Sequence, residues 1–124
     1  MQELRLSTLK KTWIFDLDGT LVIHNGYKEG QDVLLPGVKE FMSQIPEDDY
    51  IMILTSREKE AELKTTQFLK DNGIRYDHIQ FEMPMGERLL FNDDKPSGLQ
   101  MCYGIRHSRN VGLEDTSIVI DESL

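Results

Sequence analysis

Two carboxylates at the end of an apolar run constrain this chain more than any other feature. Thr12-Trp13-Ile14-Phe15 has the β-branched and aromatic composition of a buried strand, and it stops abruptly at Asp16-Leu17-Asp18-Gly19-Thr20-Leu21. Residues i and i+2 of a strand share a face, so Asp16 and Asp18 can point into one place. Gly19 lets the chain turn away at a φ that other residues resist. Carboxylates this close repel each other unless a cation is near, so the pair itself implies a bound metal.

A second apolar run, Tyr50-Ile51-Met52-Ile53-Leu54, ends in Thr55-Ser56 and predicts a second buried strand. A helix between the two strands makes them parallel. That helix opens at Pro36, carries Val38, Phe41, Met42 and Ile45 on one stripe, and ends at Pro46. Ser56 is placed to cap a helix over 57–71, with Glu58 and Glu60 at its positive end, Ala61, Thr65, Phe68 and Leu69 inward, and Gly73 as terminator. Residues 77–81 suggest a third strand. Arg88-Leu89-Leu90-Phe91-Asn92 suggests a fourth, ending at Asp93-Asp94. Residues 99–105 suggest a short fifth, and Ser117-Ile118-Val119-Ile120 a further strand or a tail docked on an edge. Residues 1–10 read as a weakly anchored lead-in. Asn25-Gly26 between two partly apolar runs predicts a small β-hairpin flap over 21–33. The alternation of strands and helices predicts an α/β fold: a Rossmann-like, open, mostly parallel sheet with helices on both faces.

At 124 residues the chain makes one domain, 1–124, with room for a single core but none for a separate cap domain. Its 14 basic and 22 acidic side chains leave a net charge of −8, which disfavours nucleic acid and anionic membrane as partners but permits a local basic pocket. A lone cysteine, Cys102, rules out an intramolecular disulfide and fits a reducing, cytoplasmic setting. It reads as a small core residue, with nothing nearby to lower its pKa. No stretch reads as a signal peptide or a transmembrane span.

Ligands of such sheets bind outside the carboxyl ends of the strands. Three predicted strands end there in residues suited to phosphoryl transfer: Asp16 and Asp18 on the first, Thr55 with Ser56 on the second, Asp93 with Asp94 on the fourth. The string Phe15-Asp16-Leu17-Asp18-Gly19-Thr20-Leu21 resembles the first motif of the haloacid dehalogenase-like (HAD-like) phosphohydrolase superfamily. The resemblance extends in motif order over roughly residues 11–105. Gly86-Glu87-Arg88, Asn92-Asp93 and Lys95-Pro96-Ser97-Gly98 are similar to small capless members, some associated with surface-polysaccharide biosynthesis.

The resemblance implies an enzyme, a Mg²⁺-dependent phosphomonoester hydrolase acting on a small phosphorylated metabolite, with a sugar phosphate as one expectation. Asp16 would be the nucleophile that forms an aspartyl-phosphate, and Asp18 the general acid and base. Asp16, the main-chain carbonyl of Asp18, and Asp93 or Asp94 would bind the metal, with Asp93 preferred. Thr55 and Ser56 would hold phosphoryl oxygens. The cation that neutralises the phosphoryl group is Lys95 or Arg88. Lys95 is preferred, because Arg88 at a strand's start should lie at the sheet's far end.

Two other readings compete. One is a polynucleotide or phosphoprotein phosphatase, since capless sites are open. The other is a receiver-like phosphoacceptor domain, which would carry its phosphoacceptor on a later strand. Arg106-His107-Ser108-Arg109 is a basic run that reads first as a solvated turn and second as a site for another anionic group of the substrate. His24, His78 and His107 lack metal-ligand spacing. A flap this small would lean on another surface, and a neighbouring subunit of a homo-oligomer is one candidate.

Overall fold

A computed structural model describes residues 2–124. The chain forms a small α/β protein with two open parallel sheets. Strands β1 (Gln2–Leu6) and β5 (Thr116–Ile120) pair as one sheet; β2 (Thr12–Asp16), β3 (Tyr50–Leu54) and β4 (His78–Gln80) form the other, in that order. Helix α1 (Val38–Ser43) connects β2 to β3, and α2 (Glu62–Asp71) connects β3 to β4.

Register explains where the core lies. Trp13 pairs with Ile51 and Phe15 with Ile53, so these four share one face of the sheet. Trp13 and Phe15 stack on each other, and Phe41 of α1 meets both edge-on at centroid distances of 6.1 and 6.2 Å. Leu69 of α2 belongs to the same buried cluster. Buried Asp49 fastens the amino ends of the strands, accepting hydrogen bonds from Lys11 N–H at 3.1 Å and Trp13 Nε1–H at 2.9 Å.

The opposite face differs from the prediction. Among the described residues no helix covers it, and Ile14 and Tyr50 remain 48% and 44% exposed there. The expected helices on both faces reduce to helices on one. The cause is the chain between β4 and β5, which forms neither helix nor strand over residues 81–115. The predicted fourth strand, 88–92, and the short one over 99–105 are therefore absent. Leu89 and Phe91 stand 81% and 90% exposed, and the apolar run that suggested a buried strand is solvated instead. Its strand-like composition finds no neighbouring edge to complete a ladder.

The ends of the chain are better anchored than predicted. Residues 2–6 are a paired strand rather than a loose lead-in, and the docked tail is β5, in parallel register from Gln2 against Thr116 to Leu6 against Ile120. Gly112 permits the return: its φ is +89°, and a Cβ there would collide with the Pro36 carbonyl oxygen. Leu113 N–H then donates to that oxygen at 2.9 Å, tying the C-terminal strand to the start of α1.

Residues 21–35 fold back on themselves, though not as a β-hairpin. Val22 and Leu34 make one antiparallel bridge, and Ile23 N–H donates to the Val33 carbonyl at 3.0 Å. The tip is a 3₁₀ turn over Gly26–Glu29. A type I′ Asn-Gly hairpin needs positive φ at both residues; Asn25 has φ 60°, and Gly26 is not among the positive-φ glycines. Among the described residues no helix is long and apolar enough to cross a membrane.

Candidate active site

Parallel pairing of β2 with β3 brings two of the three expected strand ends together. Asp16 is registered with Leu54, and Leu17 N–H donates to the Leu54 carbonyl at 3.2 Å, so Thr55 comes alongside the Asp16–Asp18 turn. That turn is wound on the Leu17 carbonyl, which accepts from the N–H groups of Thr20, Leu21 and Val22. Gly19 makes it with φ +88°. Thr20 Oγ1 donates to Asp16 Oδ2 at 3.0 Å and fixes that carboxylate.

Asp18 is held by a residue that sequence reasoning missed. Arg57 is 2% exposed, and all five of its N–H donors have partners. Nε and Nη2 reach Asp18, the latter at 2.8 Å; Nη1 and Nη2 reach Asp32 at 3.0 and 2.7 Å; Nη1 also reaches Thr65 Oγ1 at 2.8 Å. The Tyr27 ring lies 4.0 Å from the guanidinium carbon, within cation–π range. Burial works to lower the Arg57 pKa, but the hydrogen bonds to Asp32 and Asp18 outweigh it and raise the net value. Burial likewise raises the Tyr27 phenol, and the charges of Glu58 and Asp18 add to that, with Arg57 opposing.

Thr55 is buried, with Oγ1 accepting from Arg57 N–H at 3.1 Å and lying 3.5 Å from Asp18 Oδ2. Ser56 is exposed beside it and does not cap α2, which begins at Glu62 after a 3₁₀ turn and has no side-chain cap. The fold-back segment is thus fastened to the strand ends through Asp32 and Tyr27. Arg57 was missed because its pairing joins residues 39 and 25 positions apart, which no local pattern records. One signal was available: two carboxylates at a strand end need a cation, and Arg57 is the first basic residue past the adjacent strand end.

Arg88 overturns its expected position. Its Nη1 donates to Asp16 Oδ1 at 2.8 Å, placing it at the carboxyl end of β2 rather than at the sheet's far end. With no strand over 88–92, the reasoning from a strand start does not apply. Lys95 instead sits in a turn, its N–H donating to the Leu99 carbonyl and its carbonyl accepting from Gly98 N–H, and among the described residues it has no acidic partner within ion-pair range. Asp93 and Asp94 are exposed in the same irregular segment; Asp94 Oδ1 accepts only a long 3.4 Å contact from Met101 N–H. Cys102 is half-buried there rather than in the core.

These positions bear on the metal. Among the described residues no group of three or more His, Cys, Asp or Glu is arranged to hold an ion. Asp16 already has Arg88 on one oxygen and Thr20 on the other, and neither Asp93 nor Asp94 joins it. The side chains as arranged therefore do not complete the expected Mg²⁺ ligand set. A shallow concavity lined by Lys70, Gly73, Arg75 and Tyr76 lies at the amino ends of the strands, away from these carboxylates. The chain matches no protein-family model, and comparison with curated proteins and with solved structures returned no match.

Proposed function

We propose that the protein is a phosphomonoester hydrolase of the haloacid dehalogenase-like kind, built on a Rossmann-like core and acting on a small phosphorylated metabolite. The observation that carries the reading is the placement of Asp16 and Asp18 on one turn at the carboxyl end of β2, beside Thr55 at the end of β3 and with Arg88 on Asp16. An anionic nucleophile, a proton-transfer carboxylate, a hydroxyl and a guanidinium are the groups that phosphoryl transfer needs.

In this reading an Asp16 carboxylate oxygen attacks phosphorus and the ester P–O bond breaks. The leaving alkoxide takes its proton from Asp18. Water, giving a proton to Asp18, then attacks the aspartyl-phosphate and releases inorganic phosphate with Asp16 restored. The Arg88 guanidinium exchanges its single bond to Asp16 Oδ1 for the entering phosphoryl oxygens, to which its fork can donate two parallel bonds. Thr55, with Ser56 beside it, orients a phosphoryl oxygen. Mg²⁺, if bound, would be held by Asp16 and the main-chain carbonyl of Asp18 and would screen the approach of two anions; because the side chains as arranged leave that ligand set incomplete, none of these steps is routed through it.

Phosphate release from p-nitrophenyl phosphate and from a panel of phosphorylated sugars, with Mg²⁺ and with excess chelator, tests the reading. Catalytic turnover that depends on Asp16 supports it. A single stoichiometric phosphorylation without turnover would favour a receiver-like domain, and turnover confined to phosphoprotein or polynucleotide substrates would replace the metabolite.

A further inference from the structure

We infer that Arg109 is a specificity residue for a second anionic group, a phosphate or a carboxylate, on the substrate; this rests on the phosphohydrolase reading. Far along the chain from Asp18, residues 108–111 return to the Asp16–Asp18 turn and are fastened twice, once to that turn and once to the fold-back segment beside it. Asn110 N–H donates to the Gly19 carbonyl at 2.9 Å, and Asn110 Oδ1 accepts from His24 N–H at 2.8 Å. Asn110 does this with φ 65°, a left-handed conformation that non-glycine residues seldom take and that these two bonds maintain.

The tether lays Arg109 across Gly19. A Cβ on Gly19 would stand 3.2 Å from Arg109 Cγ and 3.9 Å from Nε, so the stem covers the residue next to Asp18 while the side chain stays exposed. Among the described residues neither Arg109 nor Arg106 has an acidic partner within ion-pair range, although the protein carries a net charge of −8. Every other arginine is paired with a carboxylate: Arg5, Arg57, Arg75 and Arg88. An unpaired guanidinium held at the rim of a phosphate site presents a planar donor fork to an anion other than the one being transferred. The solvated-turn reading of Arg106–Arg109 does not account for the double fastening through Asn110.

The test compares kcat/KM for fructose 1,6-bisphosphate and 6-phosphogluconate with that for glucose 6-phosphate and p-nitrophenyl phosphate, in the intact protein and in three variants. The intact protein should prefer one or both of the esters that carry a second anionic group. Arg109→Ala should lower the ratio of their kcat/KM to that of the esters with one phosphate and no other anionic group by about tenfold, chiefly through KM. Arg109→Lys should restore part of it, and Asn110→Ala should lower it in the same direction by less. Equal falls for all esters, or a wild-type protein that hydrolyses esters with no preference for those with a second anionic group, would overturn the inference and leave the phosphohydrolase reading standing. No turnover of any ester by the wild-type protein would overturn both.

Discussion

Asp16 and Asp18 stand one residue apart on one turn, yet each belongs to a different kind of corner. Asp18 faces Arg57, whose side chain is 1% exposed and which also binds Asp32, Thr65 and the Tyr27 ring. Asp16 faces Arg88 in a single contact, with side chains 39% and 34% exposed. Both are aspartate–arginine pairs at 2.8 Å. Burial separates them. A desolvated guanidinium with every donor used is strongly position-determining, because any loss leaves a charge unpartnered in low dielectric. A water-exposed pair costs little to open, so an incoming phosphate can displace it. One corner holds the fold-back segment to the strand ends, and the other is where the proposed function has a substrate enter.

The largest expected effect breaks the comparison on the Asp16 side. Asp16→Asn keeps the shape and the hydrogen bond from Thr20 but removes the proposed nucleophile, and turnover should fall at least about a thousandfold. Its stability to urea should change little, since only an exposed pair is lost. Near-wild-type phosphate release by this variant would sink the proposed reaction.

Next comes the Asp18 side, read as stability. Arg57→Ala leaves half-buried Asp18 and Asp32 facing each other without their cation and should destabilise by about 3–5 kcal/mol, whereas Arg88→Ala should cost within about 1 kcal/mol. Urea denaturation of both variants at pH 7 measures the difference. Equal losses would mean that the two corners are energetically alike despite their burial. Arg57→Lys sharpens the point, because an ammonium has three donors for the five bonds the guanidinium makes.

A smaller effect concerns which cation meets the phosphoryl group. The position of Arg88 against Asp16 predicts that Arg88→Ala lowers kcat about tenfold or more, while Lys95→Ala stays within about threefold. Steady-state kinetics on p-nitrophenyl phosphate decide the order. The opposite order would restore Lys95 and make the Arg88 contact incidental.

What the sequence disclosed follows from the range of the interactions. The strand leading to Asp16 and the one leading to Thr55 were legible, because a buried parallel strand writes itself as a continuous apolar run. The stripe of α1 was legible for the same local reason. Leu89-Leu90-Phe91 carried the same local signature and misled, since an apolar run says nothing about whether a partner edge is available. Asp18 stood out in its motif, but its partners did not: Asp32 looks like an ordinary charge on a loop, Arg57 is marked only by lying just past a strand end, and only the fold brings the three together. Likewise Gln2–Leu6 became a strand only by meeting Thr116–Ile120 from the other end of the chain.

The smallest effect probes how closed the Asp18 corner is. The Tyr27 ring lies on Arg57, and two influences act oppositely on its phenol. Burial, with the charges of Glu58 and Asp18, disfavours the phenolate, while the adjacent guanidinium favours it. Burial prevails, so the phenol titrates above its ordinary value of about 10. A raised pKa in the folded state means that the folded protein holds this proton where the unfolded chain has released it. Stability from this group is then fully present below about pH 10 and declines as pH rises through the folded value. The chain has four tyrosines, so the measurement is the phenolate absorbance of the wild type minus that of Tyr27→Phe, followed from pH 8 to 12. A difference curve with its midpoint above that of free tyrosine, and a shallower loss of stability at high pH in Tyr27→Phe, are the expected results. A midpoint below the ordinary value would show that the guanidinium outweighs burial. The corner would then be more open to water than its geometry implies, and the contrast with the Asp16 side would narrow to the number of hydrogen bonds alone.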